Sequence, residues 1–218
     1  CSSDLGHAVL ARWNIAVPPS VEAALSRPSG VIAPGDARLS ACENRVIAAP
    51  AQSLAAAAAL AKGCEVRILG DALEGEARDL ATDQAARARA IQAAMRPGDR
   101  PVLLLSGGEL TVTRRGDGIG GPNAEFCLAL ALGLDGAAGI HALACDTDGV
   151  DGAAEVAGAV IGPDTLVRAQ AAGLDPAQAL ARNDAHRFFA ALGDQVVTGP
   201  TLTNVNDFRA ILITPVVR

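Results

Sequence analysis

A chain of 218 residues that is half apolar, with a mean hydropathy of +0.27, can bury a substantial core without help from a metal or a disulfide. Its net charge of −6, with one lysine and arginines spread along the chain, offers no basic surface to neutralise a phosphate backbone, which excludes nucleic acid as a partner. The apolar runs at 54–61 and 128–134 are too short to cross a bilayer and no signal peptide is visible, so the expectation is a cytoplasmic protein without a membrane partner.

Aromatic residues are nearly absent, so the core must be built from Ala, Val, Leu and Gly packed closely between helices and strands. Five cysteines (Cys1, Cys42, Cys64, Cys127 and Cys145) are an odd number with no C-x-x-C pair, and they read as small buried hydrophobes in a reducing compartment. Residues 1–43 hold a helical pattern through Ala8, Val9, Leu10 and Trp13. Pro18, Pro19, Pro28 and Pro34 then interrupt it, which marks an arm. From Arg45 an apolar run (46–49), an alanine-rich helix (53–61), a strand (66–69), a long helix (74–95) and a strand (101–105) follow in turn. Residues 109–114 alternate as an exposed strand does and lead into the glycine-rich stretch 116–121. A helix at 123–134, a strand at 140–144, an acidic loop at 145–152, helices at 165–172, 176–181 and 184–192, and strands at 195–197 and 209–213 complete the chain. This rhythm predicts an α/β fold, Rossmann-like, with a mostly parallel sheet covered by helices on both faces and a short antiparallel excursion. The domain reading is an arm over 1–43 and an α/β domain over 44–218.

Function in such a sheet sits beyond the carboxyl ends of its strands. Ser106, Gly107, Gly108 and Glu109 directly follow the strand at 101–105. The glycines can turn backbone N–H groups toward an anion, Ser106 adds a hydroxyl, and Glu109 can bind a hydroxyl or hydrated metal; ordinary tight turns use glycine pairs as well. The stretch from Gly116 through Gly120, Gly121 and Pro122 to Asn123 opens a helix, a favourable place for phosphate, although it lacks a P-loop lysine and the dinucleotide spacing, and a mobile hairpin loop is its alternative. Asp146, Thr147, Asp148, Gly149 and Asp151 place three carboxylates in one loop, suited to Mg²⁺ or to accepting a hydroxyl proton. Finally, Thr198 to Asp207 packs hydroxyls and amides between two strands, where Thr201, Asn204 and Asp207 can grip an anion or cap one another. His141 and His186 lie among apolar residues and read as structural.

Three ordered segments, LLLSGGELTVTRRGDGIGGPNAEFCLALALGL, CDTDGVDGAAEVAGAVIGPDT and NDAHRFFAALGDQVVTGPTLTNVNDFRAILI, resemble the C-terminal MOFRL region of class II glycerate kinases; ENRVIAAP and VRILGDALEGEARDLA are similar to the same family upstream. The resemblance implies a cytoplasmic glycerate 2-kinase in which MgATP phosphorylates the 2-hydroxyl of D-glycerate in a cleft between two domains; some members are labelled hydroxypyruvate reductases. It implies D-glycerate and ATP as ligands, Mg²⁺ at Asp146, Asp148 and Asp151, and Asp148 at the acceptor hydroxyl. Ser106, Gly107 and Gly108 fall to an anion with Glu109 in support, Gly120, Gly121, Asn123, Thr147 and Gly149 join the substrate or phosphate contacts, and Thr201, Asn204 and Asp207 form the cleft wall. Residues 1–43 resemble the tail of the family's N-terminal domain, the remainder of which would be the main partner, and a homodimer is a further expectation. Many relatives carry arginine where this chain has Pro122, leaving Arg114 or Arg115 to replace that cation. A nicotinamide-dependent hydroxypyruvate reductase and a non-catalytic ligand-binding or assembly domain are the competing readings.

Overall fold

The computed structural model describes residues 3–28 and 30–216, and the chain divides into two compact units, Cys1–Val46 and Ile47–Arg218. Cys1 lies outside the described residues. The first unit holds helices α1 (Ser3–Arg12) and α2 (Pro19–Leu25) and a 3-10 turn, Ala37–Leu39. Pro19 opens α2 at the first helical position, where its missing N–H is not needed. The carboxylate of Asp36 caps the 3-10 turn by accepting from the Arg38 amide.

The second unit runs α3 (Pro50–Leu60), β1 (Glu65–Glu76), α4 (Ala77–Ala94), β2 (Val102–Thr111), α5 (Pro122–Leu134), β3 (Ile140–Asp146), β4 (Gly158–Ile161), α6 (Thr165–Ala171), α7 (Pro176–Ala181), α8 (Ala185–Leu192), β5 (Gln195–Val196) and β6 (Asp207–Ile213). These strands form one sheet of order β1-β2-β6-β3-β4-β5. The α/β class holds, but the expected parallel sheet is a mixed one. Among the described residues only β1 and β2 run parallel, joined by the crossover helix α4, while the other four pairs are antiparallel. The physical reason is the connections: a parallel neighbour needs a long crossover, whereas β3 reaches β4 through a loop and β6 returns into the centre of the sheet from a polar segment.

Alanines at 77, 81, 85 and 88 recur at helical spacing, and this buried stripe lets α4 lie close against α5. α5 is buried on almost every side between α4, the sheet and α6 to α8. On the opposite sheet face α3 covers β1, β2 and β6, with Pro50 seated over Gly107. Elsewhere on that face Leu103, His141, Leu143, Val160 and Leu212 line a concavity of about 380 Å³.

Local differences from the sequence reading have local causes. Residues 46–49 form no strand, β4 is an additional strand, and α4 starts at Ala77 because β1 continues to Glu76. The expected strands at 101–105 and 109–114 are one strand, β2. Of the described cysteines only Cys127 is fully buried; Cys42 is exposed and Cys64 and Cys145 are intermediate.

Candidate functional site

The segments starting at Ser106, Asp146 and Thr198 meet at one rim of the sheet, because β6 lies between β2 and β3. Gly108 pairs with Asp207 on one side and Asp146 pairs with Asp207 on the other. Beneath this rim the sequence places polar residues where an apolar core would otherwise continue. Arg209 is completely buried, 2.8 Å from the Asp207 carboxylate, donating to the Gly107 carbonyl at 2.7 Å and lying over the Phe126 ring. Asp207 also accepts from the Leu110 amide and from Asn123 Nδ2 at 2.7 Å. Burial raises the Asp207 pKa and lowers that of Arg209, the expected cost of taking an ion pair out of water.

Asn123 joins this pair to Asp151. The Asp151 carboxylate accepts from the backbone amides of Asn123 (2.9 Å) and Ala124 (2.8 Å), and His186 Nε2 lies 3.1 Å away. A protein carboxylate therefore occupies the N-terminus of α5, the place where the sequence suggested phosphate. Glu125, the next residue in the same first turn, is buried and held by Arg78 and Asn183. Neither His186 nor this second buried carboxylate network could be seen in the sequence as more than isolated polar residues in apolar surroundings.

The glycine-rich stretch is no mobile hairpin. Asn183 Oδ1 accepts from the amides of Arg115 and Gly116, Gly118 N–H donates to the Arg182 carbonyl, and Asp184 accepts from Ile119. Gly120 and Gly121 lie against Asn183 and Asp151, so their missing side chains are required by packing. The Ser106–Glu109 stretch likewise is not a turn after a strand but part of β2. Gly108 has φ +111°, and a Cβ there would sit 2.2 Å from the Leu73 amide nitrogen of β1. The glycines accommodate an irregular strand neighbour. Ser106 is 1% exposed, facing Gln84 and Arg209, whereas Glu109 is exposed at the rim.

The acidic loop and the polar loop are stitched to each other. Thr147 Oγ1 donates to the Asn206 carbonyl and accepts from the Val205 amide, Thr201 N–H donates to the Asp148 carbonyl, and the Thr201 hydroxyl donates to the Thr147 carbonyl. Gly149, at φ +95°, lets the Gly199 carbonyl approach. Asp148 accepts from Val150 N–H and from Asn204 Nδ2 at 2.9 Å. Asp146 accepts from the Asp148 amide through Oδ1. Burial, aided by the nearby Asp148 and Asp207 charges, lifts the Asp146 pKa to about 6.

The Mg²⁺ set expected at Asp146, Asp148 and Asp151 does not assemble. Asp151 is spent on the helix terminus, and among the described residues no three His, Cys, Asp or Glu side chains converge so as to hold a metal ion. Also among the described residues, no helix is long and apolar enough to cross a membrane.

The architecture thus defines a mixed α/β domain with a polar rim anchored by a buried Arg–Asp–Asn–Asp chain. Residues 102–207 match the MOFRL family. It is 47% identical over 214 residues to a putative hydroxypyruvate reductase of Agrobacterium vitis, a match covering 96% of this chain and 55% of the relative. Against the D-glycerate 2-kinase of Thermotoga maritima the identity is 37% over 152 residues, covering 70% of this chain and 36% of that protein. The crystal structure of a glycerate kinase from Thermotoga maritima superposes with a TM-score of 0.77 at 32% identity, over 98% of this chain and 50% of that one. The chain spans about half the length of the curated relatives it matches over most of its own length.

Proposed function

We propose that this chain supplies one half of a glycerate 2-kinase cleft, in which the γ-phosphoryl group of ATP moves to the 2-hydroxyl of D-glycerate. The observation that carries the reading is the rim itself: a domain similar to glycerate kinases brings two carboxylates, Asp146 and Asp148, and the exposed Glu109 to one edge. In this reading the 2-hydroxyl oxygen attacks the γ-phosphorus and the bond to the β–γ bridging oxygen breaks. ADP departs with that electron pair, and the hydroxyl proton passes to Asp146. A carboxylate titrating near 6 is largely ionised at neutral pH yet basic enough to accept that proton. This moves the central role from Asp148, whose carboxylate is held by Asn204 and Val150, to its neighbour.

Ser106, Gly107, Gly108, Gly120, Gly121, Asn123 and Asp151 frame the rim and do not touch ligand. Glu109 meets the acceptor's hydroxyl groups, and Arg114 provides a guanidinium for the transferred phosphoryl group. The purified chain with MgATP and D-glycerate should release no ADP above background. Paired with the complementary half of a full-length relative it should do so, and Asp146→Asn should lower that rate at least about a hundredfold. An unchanged rate in Asp146→Asn would remove the assigned base, and no glycerate-dependent ADP from the pair would remove the kinase.

A hydroxypyruvate reductase is favoured by the names of the two relatives 47% and 48% identical to the chain. Against it, the glycine-rich stretch is filled by Arg182, Asn183 and Asp151, which leaves no phosphate cradle of the dinucleotide type. Hydroxypyruvate-dependent oxidation of NADH or NADPH by the paired enzyme would reverse the preference.

A further inference from the structure

At the end of the β1–β2 pair opposite the polar rim, where Glu65 aligns with Val102, a cleft of about 790 Å³ opens between the sheet and α4. Its walls include Arg67, Arg87 and Arg100, and its floor includes Ile91, Met95 and Val102. The charge is concentrated locally even though the chain as a whole is acidic. Residues 84–100 carry Arg87, Arg89, Arg96 and Arg100 against one acid, Asp99.

Of the cleft's two carboxylates, Glu65 pairs with Arg67 at 2.7 Å, while Asp99 accepts from the Arg96 amide at 2.6 Å and keeps its charge, leaving three arginines against two acids in the lining. Arg100 is oriented by the Gly63 and Cys64 carbonyls, at 3.2 and 2.9 Å, which fix its plane without cancelling its charge. The Arg87 side chain has no hydrogen bond or ion pair among the described residues. Arginines in the last turn of a helix can serve its dipole, but that effect fades within one turn, and Arg87 lies seven residues before the end of α4 at Ala94. The helix dipole therefore does not account for it. Arg89, by contrast, is spent on the Gly133 and Leu134 carbonyls at the end of α5.

We infer that this cleft is a second anion site, which takes a small organic phosphate whose phosphoryl group lies between Arg87 and Arg100 and whose apolar body rests on Ile91, Met95 and Val102. Guanidinium groups suit this ligand because they are weakly hydrated and present paired donors to phosphate oxygens. An adjoining apolar surface strengthens the attraction by displacing water. Six residue steps along β2 take Val102 to Gly108, about 20 Å at strand rise, so a ligand here does not compete with one at the polar rim. The inference is independent of the kinase reading.

The test is NMR titration and calorimetry of the purified chain with inorganic phosphate and with n-butyl phosphate. Butyl phosphate should bind the more tightly, and both should perturb the amides of Arg87, Ile91 and Gly98. Arg87→Gln combined with Arg100→Gln should weaken binding at least about tenfold. Arg87→Gln alone, which removes no side-chain hydrogen bond or ion pair among the described residues, should weaken it severalfold while leaving the melting temperature unchanged. The inference fails if neither probe perturbs these amides at roughly 10 mM, if the double variant binds as the wild type does, or if the butyl group adds nothing.

Discussion

At the scale of single residues, the burial of Arg209 with Asp207 has a measurable cost and a measurable function. Breaking such a pair from one side leaves an uncompensated buried charge, whereas removing both leaves only a packing change. Asp207→Asn and Arg209→Met should each lower unfolding free energy by about 3–5 kcal/mol in urea titrations. The double variant should lose less than the two single losses combined; strict additivity would show that the pair is not coupled. Asp146 gives the opposite pH signature to an ordinary ion-paired carboxylate. Its folded pKa of about 6 exceeds its ordinary value of 3.8, so the folded state holds the proton more tightly. Its contribution to stability is complete below about 4 and is lost as pH rises through about 6. Asp146→Asn should remove that slope and melt higher than wild type at about pH 7.5; an unaltered pH profile would place the carboxylate in solvent. The aspartates at 146, 148 and 151 are legible in the sequence as a cluster. What cannot be read there is their division of labour, because only the meeting of α5 with the acidic loop turns Asp151 into a helix cap.

At the scale of elements, the helices are the more legible part. α5 and α7 end within a residue of the positions given by apolar spacing and by Pro122 and Pro176. The long helix and strand β2 depart from the sequence pattern at their edges for one reason: glycines at 70, 75, 107 and 108 look like turns, whereas here they let two parallel strands approach through an irregular register. That explanation is testable. An added methyl at Gly108 meets the Leu73 backbone in a left-handed region that alanine avoids, so Gly108→Ala should cost at least about 2 kcal/mol. For a chain of this size that lowers the melting temperature by several degrees. Hydrogen exchange should localise the damage to β1 and β2 and spare α8. A neutral Gly108→Ala would return the stretch to the status of a flexible turn.

At the scale of the molecule, strand order is the least legible feature, because nothing local to residues 207–213 says that the last strand will lie in the middle of the sheet. Its alternation of buried and partly exposed residues is visible, but the neighbours that receive it are β2 and β3, both more than sixty residues upstream. The same distance explains why local pattern cannot establish that the polar segments at Ser106, Asp146 and Thr198 converge. The core those strands build begins at Leu54, and no described residue before it is fully buried. Leu5, Val9, Trp13 and Ile15 are all at least 46% exposed, so these apolar side chains of the first unit contribute little burial. Residues 47–218 produced alone should therefore unfold in one cooperative transition, with a melting temperature within about 4 °C of the full chain, corresponding to roughly 1–2 kcal/mol. A fragment that binds hydrophobic dyes, or that loses its near-ultraviolet signal from buried phenylalanines, would show that residues 1–46 complete the fold rather than extend it.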